Sequence, residues 1–538
     1  MIFLVIEEAP VRRQPHARCI PSLLGALRKC LRDNGYACDV IAVFAAALVL
    51  YSTFISCSFN EGDSFNFAKA LVKVDLVMES PHPPGYPIYV FLGRVLFSLI
   101  GDQLAGLAWI SVASGALTLV PLYFLARAMY NRMIAILTCV VLMVVPGFWL
   151  ASEKATTDIL STFLVTLGVT MLYFGMKGNN AATLLSWMIY AISVGVRPTH
   201  IAFIPLWLYG TLRRKSLGAF FSSIAVFVTM VLAWLAPVIW VSGWDRFLAA
   251  TRDVYIGTAN TDFVFARPLG LSFFERLVFS AAAVFTFALG GMLPEMSGLK
   301  FPFASNNVPA FYIFHDVLLT AALLCLILNF RRSIEKIFAL LWIIPHFAFV
   351  YLLGSPIHHR YYLPIYPALT LLAISSIANL AVHRRWPRFT VRCSQIAKLA
   401  LVLLIIGTLV AHSMPLAAKL HTEPSPITQL VKYVKENYDS KKTTVLVFHE
   451  CSAFDIYAPG FRHYHCRKQA TETLLELKLA RDTDRITLVT STAYEYLISH
   501  HLVMQLEARK IAEFYLDPRA EIEDHRVSLF VVQTARLS

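Results

Sequence analysis

The sequence predicts an α-helical polytopic membrane protein of about 11 to 13 transmembrane helices, followed by a C-terminal extracytoplasmic α/β domain. Three observations lead there. The 538-residue chain is 57% hydrophobic and only 15% charged, against about 25% charged in soluble domains. Apolar runs close to the ~20 residues needed to cross a bilayer recur from about Cys38 to Met414. After Leu420 no such run occurs and an alternating α/β pattern takes over. The net charge of +13 sits in short basic clusters between apolar runs. That is the pattern of topology determinants, and it argues against a nucleic-acid face.

Residues 1–38 carry Arg12, Arg13, Arg18, Arg28, Lys29 and Arg32 ahead of the first apolar run. The segment lacks the short apolar core and small-residue cleavage site of a signal peptide, so the positive-inside rule predicts a cytoplasmic N-terminal segment. Residues 39–414 form the membrane domain, with spans expected at 39–57, 104–126, 133–150, 157–175, 182–196, 199–211, 218–241, 309–329, 335–353, 362–382 and 396–414. The clusters at Arg127/Arg132, Arg213–Lys215, Arg331/Arg332/Lys336 and Arg384–Arg392 are all cytoplasmic on this reading. Spanning by both 85–100 and 276–293 would force Arg127 and Arg213 outside. Residues 85–100, within an outer loop 58–103, therefore read as an interfacial helix, and 276–293 as interfacial or re-entrant. With or without these two segments the number of spans is odd, which puts the C-terminal domain, residues 420–538, outside.

Ionisable residues at membrane boundaries are costly and tend to be functional, and here they collect in the outward loops 58–84, 151–157, 197–198, 242–275 and 354–361. In the first loop Glu61 and Asp63 suit a general base or metal ligands; equally, Asp63 suits the N-terminus of a helix over Phe65–Val72. His82 opens the turn His82-Pro83-Pro84-Gly85-Tyr86-Pro87, which its prolines make rigid and non-helical. It is placed to bind phosphate, share a proton or ligate a metal, or simply to sit exposed in a turn. Asp158 caps the fourth span or joins Asp63 on the outer surface. Arg197, at the apex of Val196-Arg197-Pro198, needs an anion in low dielectric: a lipid phosphate, or Glu153 or Asp158. Arg360 and Tyr362 suit interfacial anchors, while His358 and His359 lack a regular metal-ligand set.

The order of these features resembles the GT-C glycosyltransferases, a superfamily that includes the protein O-mannosyltransferases and the lipid A aminoarabinose transferase. The resemblance covers about residues 39–414. It rests on Glu61-Gly62-Asp63-Ser64-Phe65, the His82-Pro83-Pro84-Gly85-Tyr86-Pro87 turn, Asp158, the Arg197 turn and the late Arg360-Tyr361-Tyr362-Leu363-Pro364 loop. It implies a GT-C-like fold and an inverting transfer of a sugar from a polyprenyl-phosphate carrier to a hydroxyl of a protein, lipid or glycan acceptor. The reaction would take place on the extracytoplasmic face of, most naturally, a bacterial inner membrane. Asp63 matches the catalytic carboxylate, with Glu61 beside it. Arg197 and Arg360 would stabilise the departing phosphate, and His82, Tyr86, Asp158 and Tyr362 would bind substrate. Some members use a divalent cation at the acidic loop and others do not, so the sequence leaves the cofactor open. Partners on this reading are the lipid-linked sugar donor, the acceptor and membrane lipids, with no nucleic acid. The aminoarabinose transferases carry an acidic-basic pair where this chain has His82, so their donor and acceptor are not carried over.

A secondary transporter or lipid flippase is the alternative from another class. It would place ionisable residues near the midplane and show internal repeats, whereas here they cluster at the outer edge; a scaffold subunit would make that order accidental. In the C-terminal domain helices are expected near 427–438, 469–482 and 493–508, with strands at 443–449, 485–490 and 527–534. No nucleotide-binding glycine loop or nucleophile elbow is present, which leaves acceptor docking, a lid or a structural role. Cys451 and Cys466 are candidates for a disulfide in an oxidising compartment; Cys19 and Cys30 lack metal-ligand spacing.

Overall fold

The computed structural model describes residues 34–266, 270–292, 309–328, 333–355, 359–380, 388–479, 486–500, 502–520 and 524–537. Most of the N-terminal segment with Cys19 and Cys30, the pair Arg331/Arg332, His358 and residues 384–387 of the last basic cluster lie outside them.

Each expected span falls on largely helical chain, but those at 133–150, 199–211 and 362–382 are each broken into two shorter elements. The chain begins with α1 (Asn34–Thr53), then passes through α2 (Gly62–Val72) and α3 (Pro87–Ile100) into α4 (Gln103–Met129). Pro146 divides the third span into α5 (Arg132–Val144) and α6 (Pro146–Ala151). Next come α7 (Asp158–Met176), α8 (Asn180–Val196), a 3₁₀ turn Pro198–Phe203 leading into α9 (Ile204–Leu212), and α10 (Leu217–Ser242). The helices α11 (Trp244–Thr261), α12 (Phe273–Ala283), α13 (Ala310–Leu328), α14 (Ile334–Leu353), α15 (Tyr366–Ala378) and α16 (Arg388–Thr422) complete the membrane part. Local chemistry sets many of the starts. Asp102, Asn131, Asn179, Ser216 and Ser333 each accept a backbone N–H of the first turn, and Ser272 with Glu275 forms a capping box.

Among the described residues, seven helical stretches are long and apolar enough to cross a membrane. The α10 helix shows what surrounds them: it is thoroughly apolar yet leaves Leu217 77% and Trp240 88% exposed, a surface suited to lipid and untenable in water. Helices α4 and α7 are buried along most of their length. At 1.5 Å per residue α3 is roughly 21 Å long, and α12 with its following π turn Val284–Ala288 roughly 24 Å. Both fall short of the ~30 Å hydrocarbon core.

The chain leaves the membrane part through α16 and enters α17 (Pro426–Asn437), started by Ser425 with Pro426 at the first helical position. There follow β1 (Thr443–Val447), α18 (Cys451–Tyr457), β2 (Arg462–His465), α19 (Ala470–Leu479), β3 (Ile486–Thr490), α20 (Ser491–Ser499), β4 (Val503–Tyr515) and β5 (Arg526–Leu537). The sheet order is β2-β1-β3-β5-β4; β1 lies parallel to β2 and β3, and β5 antiparallel to β3 and β4. The helix expected over 493–508 is a correction. It ends at Ser499, and Val503–Tyr515 is a strand. Three register shifts against β5 break the two-residue alternation that would otherwise mark a strand, and the stretch Glu507-Ala508-Arg509-Lys510 favours helix locally.

One face of this sheet shares its core with the outer loop of the membrane part. Phe65 and Phe67 of α2 and Tyr89 of α3 pack in a cluster with Leu430, Val447, Phe454 and Leu529. Side chains buried to this degree contribute about 1.5–3 kcal/mol each, so the soluble domain is docked and not merely tethered. The opposite face buries Leu446, Cys466, Leu477, Val489 and Leu497. Cys451 belongs to the first core and Cys466 to the second, and both are free thiols; the disulfide that the sequence left open between them is not formed.

Candidate active site

The α2 helix starts directly below the soluble domain. Glu61 is its extended N-cap residue but makes no side-chain cap, and Asp63 lies in the first turn, where the helix dipole favours a carboxylate. Instead of capping, both carboxylates turn to Arg360, carried on the 3₁₀ segment His359–Ile365. Arg360 Nη2 donates to Asp63 Oδ2 at 2.9 Å, and Nη1 donates to Glu61. Lys154, on the loop between α6 and α7, stands 4.0 Å from Glu61 Oε1. The backbone N–H of Gly62 donates to Asp524 Oδ2 at 3.1 Å, which ties the acidic loop to the soluble domain.

The proline turn brings His82 to the other side of Asp63. His82 Nδ1 lies 3.6 Å from Asp63 Oδ1, and Nε2 is 2.6 Å from the Tyr86 hydroxyl. Tyr86 follows Gly85, whose φ of +95° admits little but glycine; a Cβ there would also meet Leu76 at 3.2 Å. The pairing of His82 with Tyr86 thus follows from the local turn geometry.

Asp158 is the first residue of α7, with Thr157 before it as the cap residue. Of the two partners open to Arg197 in the sequence, the structure selects Asp158: Arg197 Nη1 donates to its carboxylate and to Thr157 Oγ1 at 3.3 Å. Glu153 instead accepts from the Trp149 indole. Arg360 Nη1 also comes within 4.0 Å of Asp158 Oδ2. Both guanidinium groups face the ring of Tyr361, at 4.7 Å for Arg197 and 5.7 Å for Arg360.

Seven of the expected residues, Glu61, Asp63, His82, Tyr86, Asp158, Arg197 and Arg360, therefore form one connected cluster. Tyr362 does not join it. Its side chain is fully buried in the apolar core beside Phe347, because adjacent residues of a 3₁₀ turn point in different directions. Two members were missed. Lys154 is signalled by its place on the outward loop next to Asp158, and Tyr361 by the arginine before it; neither signal separates them from ordinary boundary residues.

Exposure distinguishes the three carboxylates. The Asp63 side chain is 28% exposed, Glu61 6% and Asp158 2%. Glu61, Lys154, Asp158 and Arg360 line a small cavity of about 20 Å³ that Arg519 and Ala520 of the soluble domain close from above; this is room for about one water. A divalent cation at the acidic loop does not fit this arrangement. The space between Glu61 and Asp63 is held by the Arg360 guanidinium, and the same carboxylates already answer Lys154 and His82.

Residues 81–241 match the family described as dolichyl-phosphate-mannose-protein mannosyltransferase, a stretch that contains His82, Tyr86, Asp158 and Arg197 but neither Asp63 nor Arg360. Among solved structures the chain is similar to ArnT from Cupriavidus metallidurans bound to undecaprenyl phosphate, at 12% identity and a TM-score of 0.50, covering 91% of this chain and 97% of that one. It is also similar to the archaeal oligosaccharyltransferase AglB from Archaeoglobus fulgidus, solved with an inhibitory peptide and a dolichol-phosphate, at 12% identity and a TM-score of 0.50, covering 85% and 70%. No curated protein matches the sequence. The resemblance to GT-C glycosyltransferases holds at the level of fold along nearly the whole chain: this is a membrane protein with the GT-C fold, carrying a small mixed-sheet domain at its C-terminal end.

Proposed function

We propose that the protein is an inverting glycosyltransferase, moving a sugar from a polyprenyl-phosphate carrier to a hydroxyl of a protein, lipid or glycan acceptor. The proposed place is the extracytoplasmic face of a bacterial inner membrane, which the basic clusters between spans support. The observation that carries the reading is the position of Asp63, the one solvent-reaching carboxylate in a cluster whose other two carboxylates are buried against arginines. The relatives' bound lipid phosphates support a donor of that class, and no feature of the fold favours a transporter.

On this reading Asp63 accepts the proton of the acceptor hydroxyl as its oxygen attacks the anomeric carbon. The bond from that carbon to the phosphate oxygen breaks on the opposite face, and the electron pair leaves with the polyprenyl phosphate. Arg197 and Arg360 offset the developing phosphate charge. In the resting protein both arginines answer carboxylates, so an arriving phosphate competes with Asp158, Glu61 and Asp63. Once Arg360 turns to phosphate, the Asp63 oxygen it held becomes available to the acceptor. His82, braced by Tyr86, stands 3.6 Å from the other oxygen, close enough to bias the carboxylate's orientation.

A mainly apolar groove of about 590 Å³ along α13, lined by Met292, Ile313, Val317 and Leu324 with Asp316 and Thr320 among them, supports a lipid tail; the Asp316 carboxylate accepts from the Met292 backbone N–H. Tyr312, at the head of that helix, accepts from Arg519 Nη1 at 2.8 Å, and Arg519 lines the cavity above the cluster. The test is mass spectrometry of envelope glycans, glycolipids and glycoproteins from cells with and without the protein, followed by transfer in detergent from synthetic polyprenyl-phosphate sugars. A glycan that disappears with the gene and is restored by the wild-type protein supports the reading. Identical glycan profiles, together with no transfer from any polyprenyl-phosphate sugar tried, overturn it.

A further inference from the structure

The soluble domain holds a second constellation that plays no part in the proposed transfer. Cys451 and Asp455 lie four residues apart on one face of α18, and His463 faces them from β2. A sulfur, a carboxylate oxygen and an imidazole nitrogen from these residues all lie within 4.8 Å of one another. Among the described residues this is the one group of histidine, cysteine and acidic side chains that converges so closely.

The surroundings are those of a ligand set. His463 Nδ1 is 2.9 Å from the carbonyl oxygen of Phe461. Donating there fixes the ring and leaves Nε2, 3.2 Å from Asp455 Oδ1, toward the other two groups. Ligating histidines commonly donate their second ring nitrogen to a carbonyl in this way. Asp455 Oδ2 accepts from Lys69 Nζ at 2.6 Å, so the carboxylate is oriented from outside while Oδ1 faces inward. The thiol is buried and the imidazole nearly so, with side-chain exposures of 12% for His463 and 33% for Asp455, which leaves a path from solvent along the carboxylate. Ligand atoms around a tetrahedral zinc ion sit roughly 3.3–3.8 Å apart, so small side-chain rotations close the set.

We propose that Cys451, Asp455 and His463 bind a zinc-class divalent ion, with sulfur, oxygen and nitrogen ligands and water in the fourth position. The mixed set suits zinc: the thiolate disfavours magnesium and calcium, which take oxygen ligands. Its role is to brace the domain interface. It would join α18 to β2 and, through Asp455 and Lys69, hold α2, the helix that begins beside Asp63. This proposal does not rest on the glycosyltransferase reading.

The test uses the full-length protein in detergent with any affinity tag removed. After equilibration with Zn²⁺ and gel filtration, elemental analysis is expected to find about one equivalent of zinc. Substituting Co²⁺ is expected to give the near-ultraviolet charge-transfer band of a cobalt–thiolate bond. Cys451→Ser and His463→Ala should each weaken binding by more than the roughly ten- to hundred-fold that loss of a second-sphere partner costs. Cys466→Ser, altered across the sheet, should keep both zinc and band. A wild-type protein that retains no zinc, or shows no cobalt–thiolate band, overturns the site without reliance on any variant. So does a band that survives in Cys451→Ser.

Discussion

Arg360 Nη2 and Asp63 Oδ2 meet at 2.9 Å across 297 positions of sequence. The other arm of the same guanidinium pairs with Glu61, so one side chain from the late membrane loop holds two carboxylates of the first. The ion cluster is in this sense a fastener between the two ends of the membrane domain, as well as a candidate site.

Removing the arginine should therefore be felt in stability. Arg360→Ala leaves Glu61, 6% exposed, without its principal partner, and breaking a buried pair costs about 3–5 kcal/mol. Thermal unfolding in detergent should show a clear fall in Tm for Arg360→Ala and partial recovery in Arg360→Ala/Glu61→Gln. Equal Tm values for wild type and the single variant would show that the pair holds nothing together.

Asp63→Asn separates chemistry from fold. The amide keeps an oxygen for Arg360 and occupies the same volume, so Tm should move little. Transfer from a polyprenyl-phosphate sugar should drop by about 10²–10⁴-fold, the contribution expected of a positioned base. A wild-type rate would assign the proton transfer to another group.

Arg197→Ala should act on donor use. With the guanidinium gone, initial rates against donor concentration should show kcat/KM for the donor lowered at least about tenfold, equivalent to roughly 1.4 kcal/mol, with the acceptor KM unmoved. An unchanged donor dependence would return Arg197 to the role of a counterion for Asp158.

The two adjacent tyrosines should behave differently. Tyr361→Leu removes the ring facing both arginines and should lower transfer; Tyr362→Phe alters a core residue remote from the cluster and should leave transfer near the wild-type rate. The reverse ranking in the same assay would restore Tyr362 to the site.

Asp517 anchors the soluble domain to α16 through Lys419 Nζ at 2.8 Å and pairs with Arg519 at 2.8 Å. Burial pushes its carboxyl up, but the hydrogen bonds from Arg519 and Lys419 outweigh this and hold it well below the usual range. A depressed folded value means that the contribution is complete above about pH 4 and is lost as pH falls through the folded value. The Tm difference between wild type and Asp517→Asn should be level from neutrality to about pH 4.5 and shrink in stronger acid. A gap that widens on acidification would contradict this assignment.

Much of this architecture was legible because membranes make sequence speak plainly. Apolar length gave the helices, and the cost of ionisable groups singled out Asp63, Asp158, Arg197 and Arg360 from the surrounding apolar background. Legibility failed where direction within a short turn decides, as with Tyr361 against Tyr362, since adjacency in sequence carries no information about which ring points inward. It failed again where irregularity masks a period: the bulged β4 read as helix, and the short elements Cys451–Tyr457 and Arg462–His465 were too brief to show any repeat. The separation of Cys451 from Cys466 depended on the sheet between them, which no spacing encodes.

The contact of Gly62 with the soluble domain has a practical consequence for building chimaeras. Its N–H is bound by Asp524, a Cβ at this position would stand 3.4 Å from the His449 carbonyl oxygen, and Lys69 reaches Asp455 a few residues on. A domain graft between relatives that cut only at the end of α16 would install a cap with the wrong latch. The exchangeable module is the C-terminal domain together with Glu61–Lys69, although Lys69 and its partner Asp455 stand 386 positions apart in the chain.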